Sequence, residues 1–376
     1  MSDDEKSAAG EKDAPLRSAR QWVVVRGTSM DLRVGTGILS EFPRVLRSAA
    51  GRPHACALVH EGGVSDDVVR VLHDNLCDQG FRVSTLSLGA VGCDLAEVER
   101  LNVMLRDARI TSDDIVLAVG GLKTLSVASF VCSSWLGGTQ LAEVPTDLAS
   151  AVVAATTPRA LDSAGLERVV SQDATARYTM IDLDLVGTDP KSETALLAFA
   201  LMVQTAMCDS DRAFGKLWDA ADDLAAGDEA ALTTQLQDTL KSRGKVSSAT
   251  SAALRQSLEF GTTFADALLS LAPGEVSRAT ALADGMRFAA RLGVAQETLS
   301  VDDMLAVDEV LERLGVPTAR VTVDAGELAA RIRDARFQRT NRFMLAVPRA
   351  LGRVRLAVMT DDLLAEHTAA WCASRP

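Results

Sequence analysis

Carboxylates, rather than histidines, are the residues of this sequence best placed for proton transfer. Glu259 and Asp266 lie seven positions apart in a segment whose apolar periodicity predicts one helix over residues 248–271. Two turns of that helix would place both carboxylates on one face. A carboxylate in an apolar pocket has a raised pKa and can act as a general acid or base. The alternative is that both are ordinary carboxylates on a helix surface.

The spacing of histidines and cysteines does not predict a metal site. The chain has four histidines, and none lies between His73 and His367. No His-Glu-x-x-His or His-x-x-x-His pair is present, so we expect ordinary structural histidines. The six cysteines are scattered without Cys-x-x-Cys spacing, and most lie in apolar or helical contexts that indicate buried thiols of a cytoplasmic protein.

The composition argues against several classes of partner. The chain of 376 residues carries a net charge of -12, with a sequence pI of about 4.9. Nucleic acids and anionic membranes both attract clustered Lys and Arg, so we expect neither as a partner. No apolar run approaches the roughly 20 residues that span a bilayer. The N-terminus is charged rather than apolar, so no signal peptide is predicted.

A strand–turn–helix–strand unit in residues 115–148 organises the rest of the chain. Residues 115–119 form a β-branched apolar run, typical of a parallel strand covered on both faces. Gly120 and Gly121 allow a tight turn into a helix, and residues 141–144 return as the next strand. Such a unit brings backbone N–H groups to the carboxyl end of a sheet, where phosphates and dinucleotides often bind. The alternative is that the Gly-Gly pair serves only to form the turn and binds no ligand.

The remaining pattern divides the chain into a polar tail and two domains. Residues 1–20 are polar and are predicted to be disordered. Strands and helices alternate over residues 21–187, which predicts a Rossmann-like parallel α/β domain. Helical periodicity dominates residues 188–376, which predicts a mainly helical second domain with a terminal strand hairpin and a last helix.

The central unit resembles the nucleotide-binding core of 3-dehydroquinate synthase and the related sugar-phosphate cyclases. The correspondence lies in four groups of residues: Gly120-Gly121-Leu122, Leu125-Ser126, Trp135-Leu136-Gly137-Gly138 and Pro145-Thr146-Asp147. It continues through Ile181-Asp182-Leu183-Asp184 and covers nearly the whole chain from about Trp22. The resemblance implies the two-domain fold of the family with a cleft between the domains. We expect a homodimer that acts on a small molecule.

The resemblance also implies a metal that one Glu and two His hold in the cleft, but all three ligands are absent. Their positions carry Leu201, Thr262 and Arg278. A further, catalytic His of the family is replaced by Asp266. These residues do not make a plausible set of ligands for a divalent ion, so no metal is predicted.

The positions that contact NAD in the family have changed as well. Leu122 replaces the third glycine of the turn, and Val153 replaces an Asp. The Gly-Gly-Lys that follows in the family is Thr157-Pro158-Arg159 here. A leucine side chain should block a pyrophosphate that needs close approach to the backbone. We therefore expect no NAD and no other cofactor.

The same replacements predict a more apolar cleft. Leu201 and Val153 would supply apolar walls, and Trp135 would offer a stacking surface. A polyhydroxylated sugar phosphate would leave hydroxyl groups unpaired against such walls, at about 1–3 kcal/mol each. The polar residues expected around the substrate are Asp147, Thr262, Thr263 and Arg278, beside the catalytic candidates Glu259 and Asp266.

Two basic residues could still hold an anion. Lys241 and Arg255 match the anion-holding positions of the family, whereas the neighbouring Asn of the family is Glu259 here. The alternative, which has equal weight, is that Lys241 and Arg255 are solvated residues of a helix.

Two functions of different classes are consistent with this sequence. The first is a repurposed, metal- and NAD-independent cyclase or lyase that acts on a rather apolar small molecule in a biosynthetic, specialised-metabolite pathway. The second is a non-catalytic pseudoenzyme, a partner or regulator of an active relative. A closed cavity lined by Leu201, Val153 and Phe264 would favour the enzyme. A cleft filled by side chains would favour the pseudoenzyme.

Overall fold

The computed structural model describes residues 18–49, 54–172 and 176–375. Most of the tail that was predicted to be disordered, residues 1–17, lies outside the described residues. The first strand begins at Ala19, so Ala19 and Arg20 belong to the sheet and not to the tail. Their side chains are exposed, and this is why composition alone assigned them to the polar segment.

Nine strands lie in the described part of the first domain. Their bounds are β1 Ala19–Val25, β2 Thr28–Gly35, β3 Ala55–His60, β4 Arg82–Ser87, β5 Ile115–Gly120, β6 Gln140–Pro145, β7 Leu161–Ser163, β8 Leu166–Val170 and β9 Tyr178–Asp182. Seven of them form one sheet in the order β1-β2-β9-β6-β5-β3-β4. Only the β1–β2 pair of this sheet is antiparallel. The predicted parallel α/β domain is confirmed.

Helices cover both faces of this sheet, which explains its continuous apolar strands. Every residue of β5 is buried, because the strand lies at the centre of the sheet between two helical layers. The helices of this domain are α1 Phe42–Ala49, α2 Asp66–Asp78, α3 Leu95–Asp107, α4 Leu122–Ser134, α5 Leu148–Val153 and α6 Leu183–Val186.

The second domain is mainly helical, as predicted. Its helices are α7 Glu193–Asp209, α8 Asp211–Ala225, α9 Glu229–Ser247, α10 Ala252–Arg255, α11 Thr262–Leu271, α12 Arg278–Ala295, α13 Val301–Arg313, α14 Ala325–Phe337 and α15 Asp361–Ala373. A hairpin of β10 Met344–Ala350 and β11 Arg353–Val358 precedes the last helix. No helix of the described residues is long and apolar enough to cross a membrane.

The single helix predicted over residues 248–271 is wrong. The segment contains α10, a 3-10 turn over Gln256–Glu259 and α11, which begins after Gly261. Gly261 has a φ of +80°, and a Cβ there would lie 2.7 Å from the backbone nitrogen of Met286 in α12. Only glycine fits this left-handed, crowded position. Glu259 and Asp266 therefore do not share a helical face.

The sequence analysis did not predict the β7–β8 hairpin. Its strands are short, and its two-residue turn has positive φ at Ala164 and Gly165. Two guanidinium N–H groups of Arg339, just after α14, donate to the carbonyl oxygens of Glu167 and Arg168, at 3.0 and 2.9 Å. These two hydrogen bonds thus connect the hairpin, which belongs to the first domain, to the second domain.

The cysteine prediction holds for four of the six thiols. Cys56, Cys93, Cys132 and Cys208 are buried, whereas Cys77 is exposed and Cys372 is half-buried. Desolvation raises the pKa of the Cys208 thiol to about 12. The buried thiols therefore behave as small apolar side chains rather than nucleophiles.

Glu143 is a buried acid in the middle of β6. Its side chain is 1% exposed, and neither carboxylate oxygen has a hydrogen-bond partner among the described residues. Desolvation raises the pKa of this carboxyl from 4.5 to about 8. Glu143 is therefore protonated in the folded protein at neutral pH but ionised in the unfolded chain.

We predict that Glu143 makes the protein less stable as the pH rises from about 5 to 8. Over this range the folded state binds a proton that the unfolded state has lost, so the free energy of unfolding falls by up to about 1.4 kcal/mol per pH unit. Below and above this range the contribution is constant. Glu143→Gln should remove this slope. Urea unfolding of both proteins at several pH values measures it, and parallel profiles would contradict the prediction.

Candidate functional site

An ion-pair network lies where the second domain meets the β7–β8 hairpin. The two carboxylate oxygens of Asp266, in α11, accept hydrogen bonds from two different guanidinium groups. One belongs to Arg278, the first residue of α12, with Nη1 2.5 Å from Oδ1. The other belongs to Arg168 of β8. The resemblance implies a metal-binding His at the position of Arg278 and a catalytic His at the position of Asp266. In this chain the two residues at those positions form an ion pair.

This network is partly open to solvent. The side chains of Asp266 and Arg168 are each 23% exposed, and that of Arg278 is 37% exposed. The guanidinium groups therefore remain in contact with solvent. Guanidinium groups bind carboxylates, phosphates and developing oxyanions through paired N–H donors.

Thr262 and Gln204 form a second polar group on the same side of α11. Thr262 precedes Asp266 by one helical turn and therefore shares its face. The Gln204 side-chain amide of α7 donates to the Thr262 hydroxyl at 3.2 Å and to the Phe260 carbonyl at 2.8 Å. The structure thus brings together Thr262, Asp266 and Arg278 from the predicted site.

A buried arginine that sequence analysis missed spans the two domains. Arg243 of α9 is 6% exposed and donates to the hydroxyls of Thr157 at 2.6 Å and Thr205 at 2.8 Å. A weaker contact of 3.5 Å joins its Nη1 to Oε1 of Gln204. Desolvation lowers the pKa of Arg243 to about 10. Its place in the buried stripe of α9, with Leu232, Leu236 and Leu240, is the signal that could have revealed it.

The residues predicted as apolar walls mostly belong to the core. Val153 is 5% exposed in α5, which packs on α7, and Leu201 is half-buried against the same core. Phe264 is 3% exposed, and its ring centroid lies 4.7 Å from that of Phe288 and 5.1 Å from that of Trp371. Phe264 therefore points into the second domain and not into the cleft.

Glu259 occupies a separate environment. Its carboxylate accepts a hydrogen bond from Arg336 of α14 at 2.5 Å, and the Arg336 side chain is 4% exposed. Glu259 and Thr263 line a hollow of about 20 Å³. That volume holds about one water molecule. The two predicted catalytic carboxylates thus belong to different ion pairs.

Three other predicted site residues have local structural contacts. Trp135 follows α4 at the amino edge of the sheet, where its indole N–H donates to the Ile110 carbonyl at 3.0 Å. Arg255 donates to the carbonyls of Ala249 and Thr250. Lys241 lines a large cavity on another face of α9. None of the three shares the hydrogen bonds of the Asp266 network described above.

The glycine turn after β5 is occupied by carboxylates. The backbone N–H of Gly121, at the start of α4, donates to Oε1 of Glu61 at 3.1 Å, and the Thr124 hydroxyl donates to Oε2 at 2.6 Å. A Cβ on Gly121 would lie 3.4 Å from Oδ2 of Asp147, which caps α5 through Ser150. These negative groups and the Leu122 side chain do not fit a pyrophosphate at this helix N-terminus.

The residues of the cleft do not fit a divalent metal either. Within residues 18–49, 54–172 and 176–375, no three His, Cys, Asp or Glu side chains are grouped to hold a metal ion. The carboxylate of Asp266 is directed at two arginines, whose positive charges would repel a cation.

The parallel sheet and the helical second domain, which are in contact through Arg243 and the β7–β8 hairpin, are the two domains that the resemblance to dehydroquinate synthase implies. Family models agree: the 3-dehydroquinate synthase N-terminal model matches residues 85–196, and the C-terminal model matches residues 198–336. The chain belongs to the 3-dehydroquinate synthase family, and the resemblance drawn from its sequence is confirmed.

Relatives and solved structures agree with this assignment. The chain is 27% identical over 307 residues to 3-dehydroquinate synthase of Pseudarthrobacter chlorophenolicus, covering 76% of this chain and 79% of the relative. It is 26% identical over 309 residues to that of Thermobifida fusca, covering 80% and 82%.

Two solved structures share the fold over almost the whole chain. One is 2-deoxy-scyllo-inosose synthase complexed with carbaglucose-6-phosphate, NAD+ and Co2+, with a TM-score of 0.78, 15% identity and coverage of 93% and 99%. The other is 2-epi-5-epi-valiolone synthase from Streptomyces hygroscopicus with NAD+ and Zn2+ bound, with a TM-score of 0.76, 17% identity and coverage of 93% and 98%.

We predict a measurable coupling between Arg168 and Asp266. Because both side chains are partly exposed, a double-mutant cycle of Arg168→Met and Asp266→Asn should give about 0.5–1 kcal/mol in urea unfolding. Raising the salt concentration to about 0.5 M should reduce the coupling. The control pairs Arg168→Met with Glu275→Gln, an exposed acid, and should be additive. If the changes in unfolding free energy for Arg168→Met and Asp266→Asn add as fully as those of the control pair, the predicted coupling between Arg168 and Asp266 is contradicted.

Proposed function

We propose that this chain is a metal- and NAD-independent cyclase or lyase that acts on a small molecule in a biosynthetic pathway. The observation that carries the proposal is the Arg168–Asp266–Arg278 network. It places the Arg278 guanidinium where the resemblance implies a metal ligand, beside Asp266 at the position of the catalytic His. Guanidinium groups can stabilise a developing oxyanion without a divalent ion.

Asp266 is the proposed general base. Its carboxylate takes a proton from a carbon next to a carbonyl group, and the electron pair moves onto the carbonyl oxygen. Arg168 and Arg278 stabilise that enolate through hydrogen bonds. When the enolate collapses, the electron pair either expels a leaving group from the neighbouring carbon or closes a ring on an internal electrophile. Protonated Asp266 returns its proton to the leaving group or product, so no redox step is needed.

The proposed substrate carries a carbonyl or carboxylate oxygen on an otherwise apolar skeleton. The guanidinium groups and the Thr262 hydroxyl favour the oxygen. The half-buried Leu201 supports the apolar part, since Leu replaces a charged residue of the family there. Glu259 has no part in this scheme, because it pairs with Arg336 of α14 and not with the Asp266 network.

A second candidate is the non-catalytic pseudoenzyme. The observation that favours it is the filling of the region by buried side chains: Arg243 hydrogen-bonds to Thr157 and Thr205, and Phe264 packs on Phe288 and Trp371. In that case the family fold would serve as a binding partner or regulator of an active relative.

Cofactor independence is tested on purified protein. We expect no stoichiometric zinc or cobalt in elemental analysis after purification without chelator, and no heat of NAD binding in calorimetric titration. One metal ion per chain, or a micromolar dissociation constant for NAD, would overturn this part of the proposal.

Catalysis is tested with Asp266→Asn, which keeps the shape of the side chain and removes its basicity. The protein is incubated with metabolites of the pathway encoded by neighbouring genes, and substrate loss and product mass are followed. Asp266→Asn should slow turnover at least about tenfold, whereas Glu275→Gln should not. Full activity in Asp266→Asn would refute the general-base assignment. No turnover by the wild-type protein, with binding to an active relative, would favour the second candidate.

A further inference from the structure

A cavity of about 650 Å³ lies between the first strand and three helices of the second domain. Its walls come from β1, from the junction of α7 and α8, and from α9. The α9 residues that line it include Asp238, Lys241 and Lys245, which helical periodicity turns away from Arg243. Among the described residues, those that line the cavity include no member of the Asp266 network. The cavity volume lies within the range of small-molecule sites, about 300–1,000 Å³.

The charges around the cavity favour an anion. Four cations, two on α8 and two on α9, face two carboxylates, which leaves an excess of positive charge in a chain whose net charge is -12. Lys216 pairs with Asp238 and Lys245 pairs with Asp209, each at 2.6 Å. Among the described residues no carboxylate pairs with Lys241. Its ammonium group is therefore available to a ligand from solvent.

The strand wall of the cavity favours a flat apolar group. Trp22 and Val24 of β1 are 52% and 61% exposed, and both line the cavity. The Arg20 guanidinium lies 4.6 Å from the centroid of the Trp22 ring and holds that ring in place. A half-exposed tryptophan that lines the same cavity as an unpaired lysine is suited to an aromatic anion, because the ring packs and the ammonium neutralises the charge.

The two walls are held at a fixed separation. A Cβ on Gly244 would lie 2.9 Å from the Val24 carbonyl oxygen, so the backbone of α9 rests directly on β1. Buried polar side chains of Thr205, Gln235 and Thr239 also line the cavity, and the Gln235 amide donates to the Thr239 hydroxyl at 3.1 Å. A preformed site loses less entropy on binding than one that must be ordered.

We propose that this cavity binds a small anionic molecule with an aromatic or other flat apolar part. Lys241 binds the anionic group, and Trp22 packs against the flat part. The ligand contacts both domains, because Trp22 belongs to the first and Lys241 to the second. This site is independent of the function proposed for the Asp266 network.

The test uses two probes that share a ring system and differ in charge. One is 8-anilinonaphthalene-1-sulfonate, an aromatic anion, and the other is N-phenyl-1-naphthylamine, which lacks the sulfonate. Fluorescence titration of the wild-type chain should give one saturable site for the anion. Lys241→Ala should weaken binding of the anion about fivefold to tenfold and leave the neutral probe unchanged.

Two further variants complete the test. Trp22→Ala should weaken the binding of both probes, because it removes the ring on which they pack. A circular dichroism spectrum that matches the wild type shows that this variant is folded. Lys191→Ala, which removes an exposed lysine outside the cavity, should change the affinity of neither probe. The proposal is overturned if Lys241→Ala binds the anion as tightly as Lys191→Ala does. It is also overturned if the wild-type chain binds no anion and elutes as a dimer that Trp22→Ala dissociates, because the cavity is then an interface between copies.

Discussion

The direct backbone contact between Gly261 and Gly285 is the constraint on which the geometry of the cleft depends. A Cβ on Gly285 would lie 2.1 Å from the Gly261 carbonyl oxygen, so α11 and α12 meet with no side chain between them. Asp266 follows this contact by five residues, and Arg278 precedes it by seven. A side chain at either glycine would force the helices apart and separate the carboxylate from its guanidinium. The ion pair therefore follows from a backbone contact that only glycine permits.

The chemistry of the site follows from which charges can approach Asp266. A divalent ion is a Lewis acid, and it needs several anionic or neutral ligands around it. Two guanidinium groups neutralise one carboxylate, keep N–H donors for an oxyanion, and repel any further cation. At the glycine turn the side chain that takes part is negative rather than positive. The carboxylate of Glu61 accepts a hydrogen bond from the Gly121 N–H, the group that a phosphate would require. In both places a charged side chain of the protein bonds to another side chain or to the backbone of the helix.

Sequence periodicity predicted the elements that depend on local pattern. The apolar run of residues 115–119 marks the central strand β5, and the return at residues 141–144 marks its neighbour β6. The break at Gly261 was missed, because apolar residues continue on both sides of it and the requirement for glycine comes from α12. Arg168 was missed for a similar reason, since 98 residues separate it from Asp266. No local pattern records such a contact, whereas family motifs did indicate which positions had changed.

Helix α9 directs charged side chains to two different places in the protein. Arg243 reaches from one face to Thr157 of the first domain, and Lys241 lies two residues earlier on the face that lines the cavity. Gly244 places the same turn of the helix against Val24 of β1. Helix α9 therefore carries one cation to the contact between the domains and another to the wall of the cavity. The close approach of Gly244 to β1 fixes the position of both residues relative to the sheet, because no side chain separates the helix from the strand.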